Sequence, residues 1–357
     1  MKRESILDRA RREHAEKNGS GKIPHLERGE IGKAENTVTS PRWPDPVCVS
    51  DLTQTAADVE FLWHGCIARR HTTMLSALMK CGKSTFLGHL LRSLQSGEPF
   101  AGRATKETRT LVVSEESQSI WIRRRDALEL DGHLFVMSRP MLGRPNFGDW
   151  SDFLGHIEGR AIERKCDLVV IDTISAFAPW KSENDSAEVM GTMTPLNRLT
   201  EAGLGVLVFH HIGKSDGSEG RAARGSTALA GAVDVLLEMR RHKPDVLADR
   251  RRVLKGLSRF EETPEEIVVT LREDGGGYDC EGDRRAVAAR ELNALLLDVL
   301  PDESPGLRAD QIHELMSTDD RPKRGAVMAA LKVGAAAGQW TSAGTGLRGS
   351  PMRFWKH

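Results

Sequence analysis

The stretch that most constrains this chain is Ser76-Ala77-Leu78-Met79-Lys80-Cys81-Gly82-Lys83-Ser84-Thr85. The run Thr73 to Leu78 reads as a buried strand, and Phe86, Leu87, Leu90, Leu91 and Leu94 recur at helical spacing behind Lys83. A Gly-Lys-Ser triplet between strand and helix is the turn that gathers backbone N–H groups and a helix N-terminus around phosphate. Lys80, Cys81, Gly82, Lys83, Ser84 and Thr85 are therefore the candidate contacts to a nucleotide, with Lys83 on the outer phosphates and the Ser84 hydroxyl on Mg²⁺. One letter departs from the pattern, because Ala77 stands where the turn usually opens with glycine.

At 357 residues the chain is too long for one compact core, and its texture changes along its length. Residues 1–45 are rich in Lys, Arg and Glu, with a solvated helical pattern over 4–17 and then Gly19-Ser20-Gly21 and scattered prolines. They read as a charged, flexible N-terminal segment. Over 46–285, strand and helix patterns alternate, which predicts an α/β domain with a central, mainly parallel sheet. The expected strands after the loop centre on Leu111, Val136, Val169, Val208, Leu236, Leu254 and Val268, the later ones partly antiparallel, and helical spacing runs over 186–202. Residues 288–357 predict three helices, around Leu295, over Ala309 to Met316 and over Lys323 to Ala337, followed by a two-stranded hairpin that ends near Trp355. Three helices and a hairpin make a winged-helix pattern.

The formal net charge is zero, so the chain as a whole gives no argument for a polyanion partner. The tail is different. From Arg321 to His357 there are seven Lys or Arg and no Asp or Glu, which points that segment toward nucleic acid. The five cysteines, at 48, 66, 81, 166 and 280, form no Cys-x-x-Cys pair, which argues against a disulfide framework or a zinc site and suits a reducing, cytoplasmic setting. No apolar run has the length of a membrane span, so no membrane partner is expected.

Further residues carry chemistry. Asp172 closes the apolar run Leu168-Val169-Val170-Ile171, the pattern of a carboxylate at a strand mouth that holds Mg²⁺. Glu115 and Glu116 follow the strand after the phosphate loop, where a carboxylate polarises the attacking water. Glu115 is the expected base and Glu116 its neighbour or substitute. His210 and His211, followed by Lys214, end the next strand, where a polar side chain reports the presence of the terminal phosphate. A structural role for the pair stays open, and a metal site is the poorer reading, because adjacent strand residues diverge and no carboxylate accompanies them. The glycine-rich segment Gly213 to Ser226 is long enough to be functional, and Arg224 in it can reach a phosphate. Lys255 and Arg259 read as the end of a late strand, where a ring ATPase extends an arginine finger to its neighbour. Plain surface charge is the alternative.

Taken together, Trp63-His64-Gly65, Leu78 through Thr85, Val113-Ser114-Glu115-Glu116, Val170-Ile171-Asp172-Thr173, His210 through Lys214 and Arg224-Gly225-Ser226 resemble the RecA-like P-loop ATPases, and within them the RepA-type hexameric replicative helicases. The resemblance implies a RecA-like core, ATP and Mg²⁺ as cofactors, a homo-oligomeric ring, hexameric in that family, and single-stranded DNA passing through it. It also implies Glu115 as catalytic glutamate, His210 as strand-tip sensor, and Arg259 or Arg224 as the residue that serves the neighbouring site. The wider spacing of Lys255 and Arg259 departs from that family's Lys-x-Arg pair. The C-terminal segment resembles winged-helix domains, which implies a contact to duplex DNA or to a replication protein. A non-unwinding ATP-dependent DNA binder, such as a helicase loader, recombination mediator or regulator, is the alternative to a motor.

Overall fold

The computed structural model describes residues 46–51, 59–212, 227–246, 248–317, 321–347 and 349–357. The expected helix over 4–17, the linker behind it, Lys214, Arg224, and Arg348 of the basic C-terminal run lie outside the described residues. Residues 46–51 hold a single 3-10 turn, Val49–Asp51. From Phe61 onward the chain builds one large α/β unit.

It starts with a small hairpin, β1 (Phe61–Trp63) and β2 (Ile67–Ala68). The core strands follow: β3 (Thr72–Leu78), β4 (Thr110–Ser114), β5 (Leu134–Ser138), β6 (Leu168–Asp172) and β7 (Gly205–Ile212). Between them run α1 (Lys83–Ser96), α2 (Gln118–Leu128), α3 (Phe147–Glu163), α4 (Ile174–Phe177), α5 (Ser186–Met193) and α6 (Asn197–Glu201). After α7 (Thr227–Gly231) come β8 (Val235–Arg241), β9 (Arg251–Ser258), β10 (Glu266–Leu271) and β11 (Tyr278–Asp283). These strands form one nine-stranded sheet in the order β11-β10-β9-β8-β3-β7-β6-β4-β5. From β8 to β5 all neighbours are parallel, and β9, β10 and β11 extend the sheet antiparallel. The fold is α/β with a large, mainly parallel central sheet, as the alternating pattern predicts.

Strands β4 and β6 are buried throughout, and β3 up to Ala77, because helices cover both faces of the parallel sheet. Alternate side chains divide between two cores. Leu75, Ala77, Val112, Leu168, Val170, Leu207 and Phe209 pack on the α1 side with Phe86, Leu90 and Trp63. Met74, Leu111, Val113, Val169, Ile171, Val206 and Val208 pack on the α3 side with Trp150, Leu154 and Leu199. This two-residue period decides which way each residue at a strand tip faces. The helical span expected over 186–202 is interrupted by a 3-10 turn, Thr194–Leu196, because Pro195 cannot continue the α5 hydrogen-bond ladder.

The C-terminal segment contains α8 (Arg284–Val299), β12 (Leu307–Arg308), α9 (Ala309–Leu315), α10 (Arg324–Ala336), β13 (Thr341–Ala343) and β14 (Arg353–Trp355). The three strands form an antiparallel sheet with β14 in the middle, so the expected hairpin gains a third strand. Leu296, Ile312, Val327, Leu331, Trp340 and Phe354 make its core. No loop separates it from the large sheet. Asp283, the last residue of β11, caps α8, and Val287 of α8 packs on Val253 and Val268.

Trp340 is 1% exposed and donates from Nε1 to the Leu331 carbonyl of α10 at 2.8 Å. Its ring lies against Gly334, where an added Cβ would sit 2.0 Å from a ring carbon. Gly334→Ala therefore overpacks this core, and the expected loss is about 1–3 kcal/mol of stability in urea melts. A variant as stable as the wild type would contradict the packing described for Trp340.

Candidate functional site

The carboxyl ends of the parallel strands converge on the loop between β3 and α1. Gly82 caps α1 with φ +98°, a left-handed conformation that suits glycine, and Lys80 takes φ +61° in the same loop. Ala77 lies in regular β3, paired with His211 and Met239, so the sharp turn falls later than the sequence pattern places it. Lys83 is 6% exposed. Its Nζ donates to the Ala77 carbonyl at 3.2 Å and to the His210 carbonyl at 3.3 Å, and it donates to Nδ1 of His211. Burial pushes the Lys83 ammonium down to about 8, against the pull of Asp172, Cys81 and Glu115. The side chains of Lys80 and Thr85 are exposed, that of Cys81 is buried, and Ser84 is half-buried in the first turn of α1.

One strand, β7, separates β3 from β6, and Asp172 closes β6 on the α1 side of the sheet, the side that holds Lys83. It is 5% exposed, and its carboxyl is pushed up to about 7, first by burial and then by Glu116 and Glu115. On the adjacent β4, Ser114 pairs with Asp172, and the Glu115 N–H donates to the Asp172 carbonyl at 3.0 Å. The Glu115 side chain opens to solvent at the rim. Partial desolvation and then Glu116 raise its carboxyl above the usual range, while Lys83 and a hydrogen bond with Thr173 oppose the rise. Glu116 is already engaged, since its Oε2 lies 2.7 Å from Nη1 of Arg124, whose guanidinium stacks 4.4 Å from the Trp121 ring. Of the two glutamates, Glu115 is the one whose carboxylate no arginine pairs with among the described residues.

The two histidines diverge as strand alternation requires. His211 turns to the α1 side and takes the Lys83 ammonium, which keeps its imidazole neutral. Burial first, then Lys83 and His210, hold its pKa below the usual histidine value. His210 turns to the α3 side, where Nε2 meets Glu183 Oε2 at 3.1 Å, and Ser175 donates to the other oxygen of Glu183 at 2.9 Å. Sequence reasoning selected His210 for the strand-tip position. The structure puts His211 against the phosphate-loop lysine and gives His210 a carboxylate partner that the sequence did not reveal. The period of β7, with Leu207 and Phe209 on the α1 side, carried the signal for His211.

Arg259 lies elsewhere. Val235 pairs with both Ser258 and Thr73, so Arg259 sits at the end of the sheet opposite Lys83. Its side chain is 79% exposed, with Asp234 at 4.0 Å. Lys255 is not at a strand end, as the sequence reading had it. It lies inside β9, between Glu238 and Glu266, because that strand runs on to Ser258. Two arginines that were not singled out reach the loop instead. Arg252 Nε donates to the Cys81 carbonyl at 2.7 Å, and Arg241 Nη2 to the Lys80 carbonyl at 3.3 Å.

The site fits a nucleoside triphosphate with Mg²⁺. The loop offers an ammonium and a helix N-terminus to phosphate. Ser84 and Asp172 offer hard oxygen donors, and among the described residues no group of three or more His, Cys, Asp or Glu forms a closed metal cage. A cation held by one or two protein oxygens and completed by phosphate oxygens is the Mg²⁺ pattern.

A strand–loop–helix phosphate cradle beside a buried strand-tip carboxylate defines a P-loop nucleotide-binding protein of the ATPase class. The chain belongs to the AAA domain family, whose model matches residues 38–217. That match runs through the loop, Glu115, Asp172 and His210, and ends before β8. No curated protein matches the chain. Among the described residues, no helix is long and apolar enough to cross a membrane.

The carboxylate pair sets a pH dependence. A carboxyl raised from 3.8 to about 7 binds more protons in the folded than in the unfolded chain, so stability falls as pH rises through that window. Asp172→Asn removes the cost. In urea melts of nucleotide-free protein, the variant should exceed the wild type by about 1–2 kcal/mol at pH 8, and the difference should shrink through that window and vanish below about pH 4. Equal stability at pH 8 would mean that Asp172 ionises without penalty.

Proposed function

We propose that the chain hydrolyses ATP with Mg²⁺ and couples the reaction to DNA, as a helicase or single-stranded DNA translocase that works as a homo-oligomeric ring. The observation that carries the ATPase reading is the convergence of Lys83, Asp172 and Glu115 at the carboxyl ends of β3, β6 and β4, close enough that both carboxylates act on the Lys83 ammonium. Lys83 binds the outer phosphates, and the N–H groups of the loop orient them for in-line attack. Ser84 and Asp172 hold Mg²⁺, which when bound neutralises charge on the phosphates. Glu115 accepts the proton of the attacking water at its carboxylate, for which its raised pKa suits it. His211, neutral and bonded to Lys83, reports the state of the terminal phosphate to the chain that follows β7, and His210 carries the same message through Glu183. Arg259 serves a neighbouring subunit's site, and Arg224 is the second candidate. The exposure of Arg259 and its place at the far end of the sheet suit an action outside its own subunit's loop.

The DNA reading rests on the likeness to ring helicases and on the C-terminal segment. Its order of helix, strand, helix, helix and two strands resembles that of a winged helix, which supports this reading, and Lys323, Arg324, Lys332, Arg353 and Lys356 belong to its acid-free run. The exposed face of α10 sets Arg324 and Lys332 among Met328, Ala329 and Val333. That face has cations for phosphate and little for reading base edges, so duplex affinity should fall steeply with salt and vary little with sequence. The same apolar residues favour a second reading for this segment, docking to a replication protein. For the chain as a whole, the alternative is a non-unwinding ATP-dependent DNA binder, such as a helicase loader, recombination mediator or regulator.

Lys83→Ala should abolish turnover of ATP while leaving the urea midpoint near that of the wild type. Glu115→Gln should retain nucleotide binding and lose roughly 10²–10⁴-fold in kcat. Full turnover in both variants would remove this site from the chemistry. Single-stranded DNA should stimulate turnover, and displacement of a strand from a forked duplex separates the motor from the non-unwinding reading. If stimulation occurs without displacement, the loader or regulator reading stands.

A further inference from the structure

Two guanidinium groups hold the phosphate loop from behind. The loop lacks its opening glycine, and its turn is carried by Lys80 and Gly82, both at positive φ. A non-glycine residue in the left-handed region holds its place only when neighbours fix it. Here the neighbours are β8 and β9, whose adjoining ends lie beside the loop because β8 pairs with β3. Arg252 Nε donates to the Cys81 carbonyl at 2.7 Å, and its Nη1 is anchored on the carbonyls of Asp249 at 3.0 Å and Arg251 at 2.7 Å. Arg241 donates to the Lys80 carbonyl at 3.3 Å. Cys81 is tied to the same strand end, its Sγ lying 3.7 Å from the Met239 carbonyl.

The C=O and N–H of a trans peptide point in opposite directions. With the Cys81 carbonyl drawn to Arg252, the N–H of Gly82 in the same peptide is turned away from Arg252. We infer that Arg252, seconded by Arg241, is a positioning residue that orients the Cys81–Gly82 peptide so that its N–H meets phosphate, doing for this loop part of what its missing glycine does elsewhere. The inference rests on the nucleotide-binding reading of the site. Neither arginine touches the ligand, and both stand outside the family match at 38–217.

The test compares wild type, Arg252→Ala, Arg252→Lys and Arg241→Ala in steady-state ATP turnover, in titrations with a Mg²⁺-bound non-hydrolysable ATP analogue, and in urea melts. Arg252→Ala should raise KM and the analogue Kd about ten- to a hundredfold, the range of a hydrogen bond to a charged group, with kcat much less affected. Arg252→Lys keeps one donor for the Cys81 carbonyl and should recover part of the loss. Arg241→Ala, which breaks the longer contact, should show a smaller rise. If Arg252→Ala does not fold, the lysine variant decides. A wild-type Kd and KM in it would overturn the inference, as would a fall in kcat with KM unchanged in either variant. If the wild-type protein itself fails to bind the analogue, the nucleotide reading fails, and with it the ground on which Arg252 was assigned.

Discussion

The Lys83 ammonium, taken out of water at the mouth of a parallel sheet, is the interaction around which the site is arranged. Its partners in the structure are two carbonyls and a neutral imidazole, none of which carries a compensating charge. A buried ammonium of this kind is costly unless it is paired with an anion. The carboxylates on the same side of the sheet carry the opposite strain, since burial and mutual repulsion work against ionisation of Asp172. An anionic ligand relieves the first and a divalent cation relieves the second. A site of this kind is built around groups that stabilise a ligand more than they stabilise the empty protein.

The sheet makes the arrangement possible. Helices on both faces bury the central parallel strands, and a strand-tip residue there must face one of the two cores. Asp172 therefore comes to the Lys83 side, while His210 and His211 divide between the two. The antiparallel extension adds a second constraint. By pairing on β8 it brings Arg252 beside Arg241 at the back of the loop, and Arg251 of β9, together with His242 after β8, binds Glu291 of the first C-terminal helix. The C-terminal segment is thus fastened to the strand end that steadies the phosphate loop.

Much of this was legible in the sequence, and the failures have physical reasons. The buried strands β3, β6 and β7 announce themselves as apolar runs, and Gly82-Lys83-Ser84 and Asp172 mark their mouths. The three C-terminal helices follow from their apolar spacing. The hairpin β1–β2, the edge strand β11 and the short β12 were missed because they are two to six residues long and carry little apolar pattern. The choice between His210 and His211 turned on strand phase, which Leu207 and Phe209 would have supplied. The roles of Arg241, Arg252 and Glu183 were not readable. Each depends on a contact between residues far apart in sequence, such as the 171 positions between Arg252 and Cys81, and no local pattern encodes that pairing.

The central claim is that phosphate and Mg²⁺ complete the charges of Lys83 and Asp172. The most direct measurement is calorimetric titration with the Mg²⁺-bound non-hydrolysable ATP analogue, at pH 6.5 and pH 8, in buffers of different ionisation enthalpy. A carboxyl held at about 7 gives up its proton when it takes a cation, and an ammonium held at about 8 takes one up when it meets phosphate. The account predicts net proton release at pH 6.5, net uptake at pH 8, and loss of the release in Asp172→Asn. Binding with no proton exchange at either pH, or no binding at all, would contradict it.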